Sequence, residues 1–318
     1  MKNSDFQVFP KRPNLSNYER NCLCDARFRD SGPYWHLYTS EKHPVFLSDE
    51  ASFRTAMNII AFCSKLHPDV TTLTFEWMTN HYHGVHRGSK NALEAFFREI
   101  IIALDKSLRA SGKTSTPGDL SFSLREITSL KDLRNVIAYN NRNGFLVSPD
   151  HSPFSYPWGA NKYYFNAEAK LRFLESGKPS GLMQRRELFH TKRADRIQDL
   201  IMLDGYACPM CFCDIKEGES MYLNCHQYFY AVSRNLESHK AIAAEISESV
   251  FYTDEELFAS ICAISSKQFG QPNPSLVPKE AIIDLAKTMH FDFNASNKQI
   301  CRILHLDQSN VNSLFPKL

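Results

Sequence analysis

The sequence predicts an α+β protein, an antiparallel sheet with helices on one side, followed by an all-α C-terminal region. Three observations carry that expectation. Short aromatic or alternating stretches at residues 34–39 and 71–78 have strand character, long apolar stripes at helical spacing run between and after them, and the final third of the chain is patterned for helices alone.

The first 30 residues mix both charge signs with Pro10, Pro13 and Asn14 and read as an N-terminal arm. Residues 34–39 (YWHLYT) form the first strand. Ser48, Asp49 and Glu50 then mark a helix start, and Phe53, Met57, Ile60 and Ala61 continue at helical spacing to about Leu66. In residues 71–78, Leu73, Phe75 and Trp77 fall on one face and Thr72, Thr74 and Glu76 on the other, the pattern of a half-buried strand. A second helix from Ser89 carries Leu93, Phe96, Phe97, Ile100, Ile101, Leu104 and Leu108 on one stripe. Residues 111–120 have turn chemistry throughout. A third helix spans about residues 129–142, and a Pro- and aromatic-rich segment, residues 152–159, follows it. The expected division is an arm (1–30), a first domain (31–168), a basic connecting region (169–250) and a helical C-terminal domain (251–318).

Composition narrows the function classes. The chain has 318 residues, 43% of them hydrophobic and 12% aromatic, enough for roughly two domains with real cores and too apolar for disorder. No apolar run approaches the roughly 20 residues needed to cross a bilayer, so no membrane partner is expected. The N-terminal residues show no secretory apolar core, which makes a cytoplasmic, reducing compartment the expectation and the nine Cys thiols or metal ligands. A net charge of +2 leaves nucleic-acid binding to local clusters.

The strand ending at Met78 runs into Thr79-Asn80-His81-Tyr82-His83. Two His two residues apart in an extended chain point to one side, so His81 and His83 can hold one cation while Tyr82 turns into apolar surroundings. In the third helix Leu133, Val136 and Ile137 form the buried stripe, and Tyr139 and Asn143 stack one turn apart. A phenol and an amide oxygen so placed can present a nucleophile and a third metal ligand together. Glu76 is either a carboxylate partner for a histidine or an exposed side chain. His86, Arg87 and Lys90 can meet backbone phosphate or face solvent.

Residues 79–83 resemble the Pro-Asn-His-hydrophobic-His signature of the HUH single-tyrosine transposases, specifically the REP-associated tyrosine transposases. The helix with Tyr139 and Asn143 resembles their Tyr-x-x-x-Asn helix, and Tyr156-Pro157-Trp158-Gly159-Ala160 resembles their Tyr-Pro-Trp-Ser-Ser segment. The similarity runs from Tyr34 to about Phe165, and faintly through Asp204-Gly205-Tyr206. It departs where Thr79 replaces Pro, where Tyr82 replaces an aliphatic residue, and where His86-Arg87 interrupts an apolar strand. A different alignment of Asn140-Asn141 puts Val136 at the nucleophile position. The resemblance implies an HUH/ferredoxin-like catalytic domain. It also implies a divalent cation, Mg²⁺ or Mn²⁺, held by His81, His83 and Asn143, with Tyr139 attacking single-stranded or hairpin DNA to give a 5′-phosphotyrosyl link and a free 3′-OH. A homodimer and a monomer are both compatible with one nucleophile per chain.

Residues 296–315 have the outline of a helix-turn-helix. Ser296 caps the first helix, Ile300, Ile303 and Leu304 face inward, residues 305–307 turn, and Val311, Leu314 and Phe315 anchor a second helix. Gln308, Ser309, Asn310 and Asn312 are then placed to touch DNA; a plain two-helix hairpin closing a small bundle explains the same spacing. Arg185, Arg186, Lys192, Arg193 and Arg196 form the clearest basic cluster, suited to phosphates or to a solvated helix face. Cys208, Cys211, Cys213 and Cys225-His226 supply zinc-ligand types. Their later spacing does not match a standard knuckle, so Zn²⁺ is the lesser expectation beside buried thiols. The function expected is a metal-dependent DNA nicking and rejoining enzyme, a transposase. The alternative is a catalytically inactive DNA-binding protein or regulator of the same fold.

Overall fold

The computed structural model describes residues 15–146, 155–176, 181–189, 193, 195, 200–234, 239, 242–243 and 252–316. Ser16 and Glu19 form a capping box, and helix α1 (Asn17–Asp30) follows where only an arm was expected. It lies against the segment around residues 220–222 through buried Cys24 and through Arg27, which donates to the Ser220 carbonyl at 3.0 Å.

Next come β1 (Tyr34–Thr39), α2 (Glu50–Leu66), β2 (Thr71–Trp77), β3 (Tyr82–Arg87), α3 (Lys90–Ala110) and β4 (Phe122–Ile127), and their strands form one antiparallel sheet in the order β2-β3-β1-β4. The β1-α2-β2 and β3-α3-β4 crossovers interleave, so each inserts a strand of the other between its own pair. The second strand of the first crossover, expected to be half-buried, is covered on both faces. Phe97 of α3 packs on Tyr82 and Trp77, with ring centroids 4.9 and 6.5 Å away. Helix α4 (Leu130–Leu146) lies on the opposite face, where Thr74 donates to Asn141 and the Gly144 N–H donates to Glu76. Helices therefore cover both sides of the sheet. The one-sided expectation fails because residues 136–144 are buried all round, a pattern that a single apolar stripe does not reveal.

Loops fill the outer edge of β2 and so leave no open strand edge there. The Trp77 N–H donates to the Trp158 carbonyl at 2.9 Å, Ala160 N–H to Phe75 at 3.0 Å, and Asp214 N–H to Thr72 at 2.8 Å. Gly159 is required at this seam, since a Cβ there would lie 2.6 Å from the Phe75 oxygen. Helices α5 (Ala167–Ser176) and α6 (Leu182–Phe189) precede a hairpin of β5 (Met202–Leu203) and β6 (Tyr206–Ala207), whose two-residue turn places Asp204 and Gly205 at φ 56° and 86°. Helices α7 (Ile215–Ser220) and α8 (Cys225–Arg234) follow. The segment expected to be a connector shares the first core, to which Leu200, Ala207, Ile215, Met221, Tyr228 and Val232 all contribute.

A second core joins α9 (Asp254–Phe269), α10 (Lys279–Phe291), α11 (Asn297–Leu304) and α12 (Gln308–Leu314). Capping boxes at Thr253-Glu256 and Ser296-Gln299 start α9 and α11, and left-handed Gly270 and His305 end them. Ile300, Ile303, Leu304, Val311 and Phe315 are buried as expected, but Leu314 is 41% exposed and does not anchor the last helix. The two units meet where the buried Arg142 guanidinium of α4 pairs with Glu256 of α9. No described helix is long and apolar enough to cross a membrane.

Candidate active site

Strand alternation and register build the site. Paired residues of antiparallel neighbours share a face, so Tyr38, His83 and Glu76 form one row across β1, β3 and β2, and His36, Val85 and Thr74 form the next. Tyr82 points the opposite way into Trp77, Phe75 and Phe97, as its place between the two His requires. Gly84 makes room on that apolar side for a hydrogen bond between the Tyr82 hydroxyl and His86 Nε2 at 3.0 Å, because a Cβ at 84 would lie 2.4 Å from both atoms.

On the other face the His81 and His83 rings stand perpendicular with centroids 5.1 Å apart. Helix α4 brings Tyr139 over them. Its ring meets His83 edge-on at 5.7 Å and His36 at 6.3 Å. The expected phenol and imidazoles thus meet in space, and His36 joins them, with Nε2 3.4 Å from His83 Nδ1. Sequence reading passed over His36. The available signal was a polar ring on the same strand face as Tyr34 and Tyr38. Asn143 lies one turn beyond Tyr139 and is 9% exposed.

The row is closely covered. His36 and His83 are fully buried, and Tyr139 is 4% exposed, with the His239 ring 6.3 Å from its own. Burial, followed by electrostatic interaction with His83 and Arg125, pushes the His36 pKa well below the usual histidine range. Glu76 is also fully buried rather than exposed. Burial raises its pKa well above the carboxylate range against the one opposing interaction, the Gly144 N–H.

Two imidazoles bound to one ion at about 2.1 Å have ring centres roughly 5 Å apart when their bonds are near a right angle. The His81–His83 centroid separation of 5.1 Å matches that spacing. Among the described residues no three His, Cys, Asp or Glu side chains converge as a metal group. The thiols are differently placed. Cys208 Sγ lies 3.2 Å from the Tyr163 hydroxyl, Cys211 Sγ accepts from the Ile201 N–H at 3.2 Å, and Cys213 is buried.

The residues expected at DNA are scattered. Arg87 pairs with Glu217 through two nitrogens at 2.9 and 3.1 Å, while Lys90 is exposed at the start of α3. Arg185 is buried, Arg186 is exposed, and Arg193 pairs with Glu99 at 2.6 Å. Lys192 and Arg196 lie outside the described residues. Gln308, Ser309 and Asn310 are exposed on α12, and Asn312 accepts from Gln308 and Asn297.

No family model matches this sequence, and no curated protein does. Among solved structures, the chain is similar to a REP-associated tyrosine transposase bound to a REP hairpin, at 14% identity and a TM-score of 0.34. The alignment covers 43% of this chain and 81% of that one.

Proposed function

We propose that this chain is a metal-dependent single-stranded DNA endonuclease and strand transferase of the HUH type, acting at hairpin-forming elements with Tyr139 as nucleophile. The observation that carries this reading is the approach of Tyr139 to His83, rings perpendicular at 5.7 Å, with His81 beside them. The β-α-β-β-α-β order is that of ferredoxin-like sheets, the scaffold the reading calls for. His81, His83 and Asn143 would hold Mg²⁺ or Mn²⁺, which when bound polarises the scissile phosphate and offsets developing charge. Tyr139 Oη forms a bond to phosphorus and gives up its proton; the bond to the 3′ oxygen breaks, and that oxygen leaves with the electron pair and gains a proton. One phosphoester replaces another, so rejoining needs no nucleotide. Arg186, Lys90 and the exposed polar face of α12 would meet DNA outside the site.

The near-complete burial of Tyr139 favours a second reading, a DNA-binding regulator of this fold that performs no strand transfer. Labelled hairpin single strands incubated with the protein and Mn²⁺ separate the two. A denaturation-resistant adduct that disappears in Tyr139→Phe is the outcome expected of the transferase. No adduct from the native chain across several hairpin substrates supports the regulator.

A further inference from the structure

Asn80 sits between the strand-end histidine and the loop after β1. Its Nδ2 donates to the carbonyl oxygens of Glu41 and His43, the latter at 3.1 Å, and its Oδ1 lies 2.8 Å from His81 Nδ1. These three interactions fix two hydrogen positions. Backbone carbonyls only accept, so the amide group must turn its NH₂ toward them; an amide oxygen also only accepts, so the proton between Oδ1 and His81 must be on Nδ1. In a neutral imidazole the lone pair is then on Nε2. The backbone supports the same setting. Met78 N–H donates to the His81 carbonyl at 2.9 Å across the β2–β3 turn, and the Phe46 and Leu47 N–H groups both hold the Thr79 carbonyl at 3.0 and 2.9 Å.

From this geometry we propose that Asn80 is a positioning residue that locks His81 in its Nδ1–H tautomer, so that Nε2 is the nitrogen turned to a cation. The inference deepens the proposed function and rests on it for the identity of the ligand, but the tautomer itself belongs to the metal-free protein. Asn80 acts through His81 and touches no reacting atom.

Two variants separate the side chain's two tasks. Asn80→Asp keeps an oxygen that accepts from Nδ1–H but cannot donate to the Glu41 and His43 carbonyls. Asn80→Ala removes both. The tautomer is read in the metal-free chain by long-range nitrogen–proton NMR of ¹⁵N-histidine-labelled protein, with His81→Gln identifying the His81 signals. Native protein and Asn80→Asp are expected to show Nδ1–H, and Asn80→Ala to show a population with Nε2–H. Titration with Mn²⁺ alone is expected to give binding roughly 10–100-fold weaker in Asn80→Ala, the usual effect of losing a group that orients a ligand. Nε2–H in the native chain, or a tautomer unchanged in Asn80→Ala, overturns the proposal. The lock observed without Mn²⁺ binding to the native chain supports the Asn80 assignment and counts against the cation reading instead.

Discussion

The backbone N–H of Gly144 in α4 points into the carboxyl group of Glu76 in β2, and the absence of a side chain at 144 sets how closely helix and strand approach. A Cβ there would lie 2.2 Å from Tyr156 Cδ1 and 2.7 Å from Glu76 Oε2. Tyr156 cannot retreat, because its hydroxyl donates to the Trp77 carbonyl at 2.6 Å and the ring is buried. Helix propensity alone says that Gly144→Ala should gain about 0.5–1 kcal/mol. Overpacking against a fixed neighbour costs about 1–3 kcal/mol. Urea unfolding should therefore show Gly144→Ala to be the less stable protein; an unchanged or higher midpoint contradicts the tight helix–strand approach.

Much of the sheet is legible in local pattern because its elements depend on residues close in sequence. The Leu73, Phe75 and Trp77 alternation, the Ser89 cap of α3 and the Ser296 cap of α11 all lie where the pattern puts them. The site is legible only in part. His81, His83 and Tyr139 stand out by spacing, but His36 becomes their neighbour only when the strand order sets β1 beside β3. Glu76 alternates like a solvent-facing residue, and its burial depends on α4 crossing that face. His239, one hundred positions further along, also comes within 6.3 Å of the Tyr139 ring, an approach that no local periodicity reports.

Glu76 and His86 should bend the stability curve in opposite directions with pH. The folded pKa of Glu76 is raised by burial, so the native chain keeps a proton that the unfolded chain releases near pH 4.3, and stability falls as pH rises above that value. Glu76→Gln should therefore gain on the native protein at pH 8 and lose that advantage at pH 4. Burial lowers His86 to about 3, so the unfolded chain takes up a proton below about pH 6.5 and the native chain does not. Stability present above 6.5 is lost as pH falls toward 3, by up to about 1.4 kcal/mol per pH unit. His86→Gln should flatten the slope between pH 6 and 4 by about that amount. Denaturant unfolding across this range checks both signs, and parallel curves for native and variant proteins refute them.

The exposed side chains of α12 test the DNA-placement part of the reading separately from strand transfer. Asn312 accepts from Gln308 at 3.0 Å and from Asn297 at 2.9 Å, so it braces the two short helices. Ser309 and Asn310 are exposed and lie away from the buried Val311. Joint substitution Ser309→Ala and Asn310→Ala should weaken binding to duplex DNA by about 1–3 kcal/mol for each base that these side chains read. Unfolding and the nicking of a minimal hairpin strand should be left unchanged. Duplex affinity identical to the native protein's at two salt concentrations removes α12 from the DNA surface.

Glu256 links the C-terminal unit to the helix that carries Tyr139. Its carboxylate accepts from the Thr253 N–H at 2.9 Å to cap α9 and pairs with Arg142, whose side chain is 2% exposed and otherwise reaches the Val232 carbonyl at 3.4 Å. Arg142 is three residues beyond Tyr139, so this buried pair holds α8 and α9 against the turn of α4 that bears the phenol. Glu256→Gln keeps an oxygen for the Thr253 N–H but leaves the buried guanidinium without its counter-charge, whereas Glu256→Ala removes oxygen and charge together, a loss of about 3–5 kcal/mol. If strand entry to Tyr139 depends on this joint parting, loosening it should expose the ring. Nitration of Tyr139 by tetranitromethane, mapped by peptide mass, should be slow in the native chain, faster in Glu256→Gln and fastest in Glu256→Ala, and adduct yield on hairpin DNA should rise in the Gln variant. Equal nitration in all three proteins means that the Arg142–Glu256 pair does not govern access to the phenol.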